Sequence, residues 1–399
     1  MKDATLERLV GIVGRDGVAT NGGSPPVVAP ATEEQWVEVV KLVAAEGLHV
    51  VPTGKGSKLG WCHPPENANL LLSTRRSTGV VSYEPGDGTL TARAGTTFAE
   101  LRRTVAGGGH HLTPDVPRAD ATTLGGVLGA GQSGFDRLRF GPTRNHTLGM
   151  RVLLADGSLT KSGGQLVKNV TGYDLHKLYC GSHGTLCVIL EASLRLFPLP
   201  EERIACRVVC DDAPAALDVA RRILALPLRP YAVCVHGPPW TVVAGLAGRA
   251  EVLASERETL LATVPEGEVH GGELLDETRE LELDGGAWPQ LRLSCKPTEL
   301  ARVLADVEGL GLACHAFAHP GIASLLLRFD ELDGAQALDV HARLEPLPAR
   351  LQWLAPPPEL AREVDVFGAP SSGLPLIRAL RAALDPQGVF AAGRFHGRI

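Results

Sequence analysis

The sequence lacks any pair of cysteines at CxxC spacing. Its eight cysteines are scattered over 399 residues, at positions 62, 180, 187, 206, 210, 234, 295 and 314. Structural zinc sites and iron–sulfur clusters are usually built from closely spaced cysteines. Neither kind of site is therefore indicated, and we expect most of the thiols to be buried.

Long apolar runs are lacking at the start of the chain, where Asp3, Glu7, Arg8 and Arg15 interrupt the apolar residues. The first residues therefore predict neither a signal peptide nor a membrane span. Charge of one sign does not accumulate either, because 39 basic and 45 acidic residues are interspersed and the formal net charge is -6. This pattern argues against a nucleic-acid surface and a polybasic membrane anchor. We expect a cytoplasmic protein.

Glycine, in contrast, is plentiful, and the first dense group lies in PTGKGSKLGW, residues 52–61. Glycines let backbone N–H groups approach an anion closely, and Lys55 and Lys58 add positive charge. A Walker A loop would need a glycine at the place of His49 and a serine or threonine at the place of Gly56. By itself the loop fits a phosphate-binding turn and an ordinary glycine-rich turn equally well.

The surrounding pattern predicts an α+β region. Thr32 with Gln35 and Thr97 with Glu100 form capping boxes that begin two helices. A strand leads from the first helix into the glycine loop, and three strand-like runs follow before the second helix. This order is the reverse of a Rossmann unit, in which the strand and glycine turn open onto a long helix.

Residues 111–134 are rich in glycine, threonine and aspartate, and we interpret them as an extended loop layer. A GxGxxG match runs from Gly129 to Gly134, which raises the possibility of dinucleotide binding. The residues that should form the following helix contain Gly141-Pro142 and have no amphipathic period, so we reject that interpretation. An Asp-Gly turn then predicts a β-hairpin over residues 149–164.

Polar and aromatic residues gather next, before a small-residue turn from Gly181 to Thr185 that leads into a long strand. Such a turn, with exposed backbone donors, suits the edge of a planar heteroaromatic ring. From about residue 201 strands alternate with helices, which indicates a second α+β domain to about residue 345. A proline-rich connection, residues 346–358, precedes a terminal helix and tail. The length and the 44% apolar content fit two or three domains.

Several motifs now stand in order along the chain: GKGSK, AGTTFAEL, PDVPRADATTLGGVLGAGQSG, RFGPTRNHTLGMRVLLADG, VKNVTGYDL, GSHGTLCVILEASLRLFPLP and the terminal AAGR. Together they resemble the FAD-binding fold shared by vanillyl-alcohol oxidase and the cell-wall reductase MurB, the p-cresol methylhydroxylase type. VKNVTGYDL and GSHGTL are most similar to the glycolate oxidase system, specifically to its FAD-binding subunit, the second flavoprotein beside the catalytic and iron–sulfur subunits. The likeness is strongest from about residue 24 to 200 and returns at the tail.

The resemblance implies an α+β fold class, with a two-lobed FAD-binding domain of the vanillyl-alcohol oxidase/MurB type and an α+β cap domain. The FAD-binding domain would span residues 1–200, with its core at 24–200, and the cap domain residues 201–345. Residues 346–399 would be a linker and a C-terminal segment that returns to the FAD domain.

The resemblance also implies a set of cofactor-binding residues. They are Gly54, Lys55, Gly56, Ser57 and Lys58 at the pyrophosphate; Pro114, Thr122, Thr123, Gly125 and Gly126 beside the pyrophosphate and flavin; Ser133, Gly134, Lys168, Asn169, Gly172, Tyr173 and Asp174 around the isoalloxazine; Gly184 and Ile189 near the ribityl and adenine parts; and Arg394 at the flavin. For Tyr173 a buried aromatic with a satisfied hydroxyl remains an equal alternative. Lys168 is alternatively a surface charge, and Asp174 alternatively anchors its own turn.

Members with covalent FAD carry a histidine in the first loop, where this sequence has Ser57 and Lys58. The resemblance therefore implies non-covalent FAD. Relatives that oxidise 2-hydroxy acids carry GHxGDGNxH, and in the nearest match, AHPGIASLL, only His319 and Gly321 agree. Because the other ligand positions are replaced, we predict no metal site, and the sequence assigns no catalytic residue.

Three hypotheses remain for the function. The first is a flavoprotein subunit of a glycolate oxidase complex that relays electrons, with a catalytic flavoprotein subunit and an iron–sulfur subunit as partners. Such a complex would act on a small 2-hydroxy acid, and any contact with the membrane would run through the partners. The second is a stand-alone FAD-dependent 2-hydroxy acid dehydrogenase for glycolate or D-lactate. The third is a flavin-stabilised scaffold subunit without catalysis.

Overall fold

A computed structural model describes residues 3–20, 25–64, 68–114, 116–165, 172–282, 289–311 and 313–399. The predicted Lys168 and Asn169 lie outside these residues. The chain divides into two compact units, which are described separately below. The first unit consists of Met1–Ser133, Pro142–Pro198 and Pro370–Ile399, and the second consists of Gly134–Gly141 and Leu199–Ala369.

Within the described residues, helices and strands are numbered along the chain. The helices are α1 (Asp3–Val13), α2 (Glu33–Ala45), α3 (Phe98–Ala106), α4 (Leu124–Ala130), α5 (Arg137–Phe140), α6 (Leu175–Tyr179), α7 (Ala213–Leu224), α8 (Ala250–Thr263), α9 (Glu273–Glu282), α10 (Leu300–Glu308), α11 (Gly334–Leu344), α12 (Pro358–Glu363) and α13 (Leu374–Leu384). The strands are β1 (Val18–Ala19), β2 (Val27–Val28), β3 (Val50–Thr53), β4 (Leu70–Ser73), β5 (Val80–Glu84), β6 (Thr89–Arg93), β7 (His110–His111), β8 (Thr147–Leu153), β9 (Leu159–Gly163), β10 (Val188–Arg195), β11 (Phe197–Pro198), β12 (Glu202–Val209), β13 (Ala232–Gly237), β14 (Thr241–Gly248), β15 (Glu268–Gly271), β16 (Gln290–Cys295), β17 (Cys314–His319), β18 (Ser324–Phe329) and β19 (Ala349–Leu354). No helix in these ranges is long and apolar enough to cross a membrane.

The first unit contains a small sheet with the strand order β1-β2-β4-β3, in which β3 and β4 run parallel. Helix α2 begins where the sequence predicts, because the Thr32 hydroxyl accepts a hydrogen bond from the Gln35 backbone N–H. The Gln35 side chain accepts in turn from the backbone N–H of Ala31, one residue before the cap. Trp36 and Val40 on its inner face are buried. The helix therefore covers the strand that leads into the glycine loop.

An antiparallel sheet with the order β5-β6-β10-β8-β9 forms the other half of the first unit. Its strand β10 is buried on both faces. Val188 and Leu190 join the core with α1 and α2, whereas Ile189, Ala192 and Leu194 join the core with α3 and α4. This explains why the strand begins with three consecutive apolar residues, Val188 to Leu190. The predicted hairpin is confirmed as the antiparallel pair β8 and β9.

The prediction that residues 111–134 form only a loop layer was wrong, because they contain helix α4. The Thr123 hydroxyl accepts from the Gly126 N–H at 3.2 Å and caps the helix. Leu124, Val127 and Leu128 are buried in the core. This packing outweighs the low helix propensity of the glycines, which the sequence alone could not weigh.

Residues 370–399 complete the first unit at the edge of its small sheet. The Val50 N–H donates to the Val389 carbonyl at 2.8 Å, and the Ala391 N–H donates to the Val50 carbonyl at 2.7 Å. The buried Asp385 carboxylate accepts the backbone N–H groups of Val389 and Phe390, each at 2.8 Å. The C-terminal segment is therefore fixed beside the strand that carries the glycine loop.

The second unit is built on an antiparallel sheet with the order β15-β12-β14-β13-β17-β18-β16-β19. Helix α7 packs on β13 and β14, and α10 packs on β18. Alternating residues such as Leu291, Leu293, Leu325 and Leu327 are fully buried. Strand β19 falls in the segment that the sequence analysis interprets as a proline-rich connection. Six of the seven residues between Pro348 and Pro356, Ala349–Leu354, pair with β16 in register, and prolines at strand ends are compatible with such pairing.

Candidate functional site

A cleft in the first unit gathers the glycine loop, the start of α4, the turn before β10 and the C-terminal segment. Its walls come from the sequence-predicted set and from residues that the sequence analysis did not single out. The lining residues are Val51, Pro52, Thr53, Gly54, Lys55, Gly56, Ser57, Lys58, Leu59, Cys62, Thr74, Thr123, Gly125, Gly126, Gly129, Ala130, His183, Gly184, Cys187, Val188, Ile189 and Arg394.

Close backbone approach explains why glycines line this cleft. A Cβ atom on Gly54 would lie 2.1 Å from the Thr123 hydroxyl oxygen, and one on Gly125 would lie 2.9 Å from Cβ of Ala94. Gly184 has a φ of +74°, which favours glycine. The backbone of three separate segments therefore reaches the cleft without intervening side chains. Such a surface offers backbone N–H groups to a phosphate or to the edge of a ring.

Lys58 supplies positive charge at the loop. Its Nζ lies 3.2 Å from the Ser57 hydroxyl and 3.5 Å from the Thr122 hydroxyl. Burial, together with the charge of Arg118, lowers the pKa of Lys58 to about 8. Lys55 instead donates to the Asp120 carbonyl at 2.7 Å. An anion bound in the cleft would therefore stabilise the charged form of Lys58 more than that of Lys55.

Arg394 is a buried arginine in the cleft with N–H donors that lack acceptors. It is 2% exposed, and its Nη2 donates to the Leu59 carbonyl at 2.7 Å. Its Nε and Nη1 are buried without a hydrogen-bond partner. A buried donor without an acceptor costs about 1–3 kcal/mol, and more when the group is charged. An acceptor-rich or anionic ligand would remove that cost, and FAD, with a pyrophosphate and ring carbonyls, is such a ligand.

A cysteine–histidine pair is the part of the cleft that sequence reasoning missed. The Cys62 Sγ lies 2.9 Å from Nδ1 of His183. Burial raises the pKa of Cys62 to about 11, although the charge of Arg394 acts in the opposite direction. The His183 backbone N–H donates to the Gly129 carbonyl at 2.8 Å. His183 lies in the turn that the sequence predicts from Gly181 to Thr185, but no sequence pattern predicts its contact with Cys62.

The remaining predicted residues that the structure describes are not among the residues that line the cleft. Thr122 contacts Lys58 as given above, and Pro114 and Ser133 are not among the lining residues. Gly134 belongs to the second unit. Tyr173 is 89% exposed, which excludes the alternative of a buried aromatic. Asp174 pairs with Lys177 at 2.7 Å, next to the exposed Gly172.

Comparison with known families identifies the kind of cofactor. Residues 25–163 match the family model described as the FAD binding domain. They include the glycine loop, the start of α4 and part of the wall of the cleft. The first unit therefore contains an FAD-binding domain, and the predicted cofactor is confirmed as FAD.

Curated relatives carry related names. The chain is 29% identical over 206 residues to glycolate oxidase subunit GlcD of Bacillus subtilis (strain 168), covering 51% of this chain and 43% of the relative. It is 30% identical to a D-lactate dehydrogenase of Archaeoglobus fulgidus, covering 51% and 49%. It is 31% identical to glycolate oxidase subunit GlcE of Escherichia coli (strain K12), covering 43% and 49%. The matches thus span about half the length of these relatives.

Solved structures extend the likeness to nearly the whole chain. p-Cresol methylhydroxylase with bound substrate matches with a TM-score of 0.78 at 12% identity, covering 98% of this chain and 96% of that structure. Alkyldihydroxyacetonephosphate synthase matches with a TM-score of 0.71 at 16% identity, covering 98% and 84%. The predicted fold class is therefore confirmed.

The depressed pKa of Lys58 predicts a pH dependence of FAD affinity. The charged form binds a pyrophosphate better, so the affinity should fall as the pH rises through about 8, by up to about tenfold per pH unit. The unliganded fold shows the opposite trend, because a lysine with a folded pKa below 10.5 adds stability as the pH rises from about 8. Calorimetric titration with FAD between about pH 6.5 and 9 measures the first effect.

Lys58→Met should bind FAD more weakly at neutral pH and should lose this pH dependence. Lys177→Met is the matched control, because Lys177 lies on the surface of the same unit in a pair with Asp174. The control should keep both the affinity and its pH profile. A wild-type affinity that stays constant through pH 8 would contradict the role given to Lys58.

Proposed function

We propose that this chain is an FAD-dependent oxidoreductase acting on 2-hydroxy acids, as the FAD-binding flavoprotein subunit of a glycolate oxidase type complex. The observation that carries the proposal is the cleft, in which closely packed glycines stand beside a buried Arg394 with two unpartnered donors. The names of its relatives, glycolate oxidase subunits and a D-lactate dehydrogenase, support the substrate class. We further propose that the second unit is the cap domain.

The residues of the cleft would hold the cofactor in distinct ways. The loop from Gly54 to Lys58 would bind the pyrophosphate through backbone N–H groups and the Lys58 ammonium. Arg394, held by the Leu59 carbonyl, would donate its free N–H groups to an oxygen or nitrogen of the flavin. When bound, FAD accepts two electrons and a proton as a hydride and releases electrons singly.

We propose that the FAD is bound without a covalent link. Ser57 and Lys58 stand where a histidine would form that link in the resembling family. Two thiols line the cleft, Cys62 and Cys187. Burial raises the pKa of Cys62 to about 11 and raises that of Cys187 as well, so both are weak nucleophiles at neutral pH. Acid precipitation of the purified protein should release all of its flavin.

The proposal includes assembly of this chain with partner subunits. The eight cysteines are all free thiols, and no group of three or more potential metal ligands occurs among the described residues. An iron–sulfur subunit would therefore have to supply the next electron carrier. A stand-alone 2-hydroxy acid dehydrogenase is the second candidate, favoured by a histidine–carboxylate pair in the second unit, Glu282 with His319.

Reconstitution distinguishes the two candidates. The FAD-loaded chain is assayed for steady-state oxidation of glycolate or D-lactate with an artificial electron acceptor, alone and after coexpression with a GlcD-type and an iron–sulfur subunit. The subunit proposal predicts co-elution with these partners and turnover at least about tenfold faster in their presence. Full turnover by the chain alone, without co-elution, would support the stand-alone enzyme, and a chain that never binds FAD would contradict both.

A further inference from the structure

The cysteine–histidine pair of the cleft joins the segment after the glycine loop to the turn before β10. Cys62 is 2% exposed, and its Sγ lies 2.9 Å from Nδ1 of His183. Both residues belong to the first unit, and both line the cleft assigned above to FAD. The contact therefore lies in the wall of the cofactor site.

The chemistry of the two groups sets the direction of this hydrogen bond. Burial raises the pKa of Cys62 to about 11, so the proton stays on the sulfur near neutral pH. A thiol sulfur is a weak acceptor, whereas an imidazole nitrogen without a proton is a good one. The S–H group therefore donates to Nδ1 of His183. An imidazole that accepts at Nδ1 is neutral and carries its proton on Nε2.

The His183 side chain is also held by its own backbone and by a second ring. Its φ is +52°, a conformation that is uncommon for a residue with a Cβ atom. Its backbone N–H donates to the Gly129 carbonyl at 2.8 Å. The Phe395 ring lies 5.6 Å away, centroid to centroid, at an angle of 35°. The turn thus fixes an imidazole at a position where glycine would fold more easily, which indicates a role for the side chain.

Arg394 is an independent sign of a ligand at the same wall. Its Nε and Nη1 are buried without a hydrogen-bond partner, and its charge acts on the Cys62 thiol. The Leu59 carbonyl accepts from its Nη2 at 2.7 Å, and the His63 N–H donates to its carbonyl at 3.2 Å. The arginine is therefore fixed beside Cys62 with donors that call for an acceptor-rich ligand. FAD supplies phosphate, ribityl and ring acceptors.

We propose that His183 is an FAD-binding residue that donates its Nε2–H to an acceptor atom of the cofactor, and that Cys62 is the positioning residue that fixes this tautomer. The inference rests on the binding of FAD in the cleft and extends it to two residues outside the glycine loop. The thiol acts only through the imidazole, because it excludes the tautomer in which Nε2 is itself an acceptor. No covalent bond forms, and the thiol stays reduced.

The tautomer is tested by NMR of the histidine ring nitrogens in the FAD-free full chain, at about pH 8, above the ordinary pKa of histidine. The chain has 13 histidines, and the signals that disappear in His183→Asn are those of His183. The wild type should carry the proton on Nε2. Cys62→Ala should give a mixture of both tautomers, and Cys62→Ser, whose hydroxyl group also donates, should restore the wild-type pattern.

The contact with the cofactor is tested by fluorescence titration of the FAD-free variants with FAD. Asparagine tolerates a positive φ, and its side-chain carbonyl reaches the place of Nδ1, but it has no group at the place of Nε2. His183→Asn should therefore weaken FAD binding about tenfold, the loss expected for one hydrogen bond. Cys62→Ala should weaken it about fivefold, and Cys62→Ser should stay within about twofold of the wild type.

Cys180→Ala is the matched control for the loss of a thiol in the same unit. Its Sγ lies 3.6 Å from the Thr147 hydroxyl, and it is not among the residues that line the cleft. This variant should keep the FAD affinity within about twofold and leave the His183 signals in place. A general loss of stability in thiol variants would appear in Cys180→Ala as well.

The double variant separates positioning by Cys62 from packing by Cys62. In the His183→Asn background, Cys62→Ala should change the FAD affinity by less than about twofold, because the thiol acts only through the imidazole. Independent packing against the cofactor would instead give the product of the two single losses, about 50-fold.

The outcomes separate this inference from the binding of FAD itself. A wild-type proton on Nδ1, or a tautomer that Cys62→Ala leaves unchanged, would overturn the positioning role. An unchanged FAD affinity in His183→Asn would overturn the contact with the cofactor. If Cys62→Ala does not fold, the wild-type tautomer and the affinity of His183→Asn still decide. A wild type that never binds FAD would overturn the cofactor site, and the NMR measurement, which needs no FAD, would still decide the tautomer.

Discussion

Gly54→Ala should weaken FAD binding by at least about 100-fold. The new Cβ would lie 2.1 Å from the hydroxyl oxygen and 3.1 Å from Cβ of Thr123. Thr123 is β-branched and its hydroxyl caps α4, so its side chain has little freedom to move away. The loop must shift instead, and loss of only two charge-assisted hydrogen bonds, about 1.5–3 kcal/mol each, gives the stated reduction.

Fluorescence titration of the unliganded protein with FAD measures this effect, and thermal unfolding checks that the fold persists. Gly86→Ala is the matched control, because no atom lies within 4 Å of the position of its Cβ and its φ is not positive. That variant should bind FAD like the wild type. An unchanged FAD affinity in Gly54→Ala would show that the loop does not approach the cofactor.

Asp385→Ala should lower the free energy of unfolding of the first unit by about 3–5 kcal/mol. The carboxylate is fully buried and accepts two backbone N–H groups, those of Val389 and Phe390. It also lies 3.5 Å from Nη2 of Arg381. Its removal leaves two buried donors without an acceptor and a buried cation without its counter-charge. Urea unfolding of the unliganded protein measures the loss.

Arg378→Ala provides the comparison for this variant, because Arg378 is exposed on the same helix, α13. It should change the free energy of unfolding by no more than about 0.5 kcal/mol. Asp385→Asn, which keeps one acceptor oxygen, should fall between the two. If Asp385→Ala unfolds at the same urea concentration as the wild type, the C-terminal segment does not depend on this carboxylate.

Local signals made part of the fold predictable from the sequence. Thr32 and Thr97 begin helices because each hydroxyl group accepts a hydrogen bond from the backbone N–H three residues later. The Asp-Gly turn likewise predicts a hairpin from two adjacent residues. Helix α4 escaped prediction because its stability comes from burial in a core that the glycine-rich sequence does not reveal. The strand β19 escaped for the same reason, since its partner β16 is far away in the sequence.

The candidate site also combines features that a local sequence pattern predicts with contacts between residues far apart in the sequence. The glycine loop is a local pattern, and the resemblance extended it to α4, Gly184 and Arg394. The pair of Cys62 and His183 is separated by 121 residues, and no local pattern joins the two. The Glu282–His319 pair spans 37 residues and combines a helix end with a strand end. Spatial proximity of this kind follows only from the complete topology.

The position of the C-terminal segment also bears on the order of events during synthesis. His49 Nδ1 lies 2.7 Å from the Gly388 carbonyl, across 339 residues of sequence. The glycine loop therefore emerges from the ribosome long before the segment that fixes its strand and brings Arg394 beside Leu59. Contacts of such large sequence separation form late. We expect nascent chains to acquire FAD only after the second unit has been made, so the cofactor cannot template the early folding of its own domain.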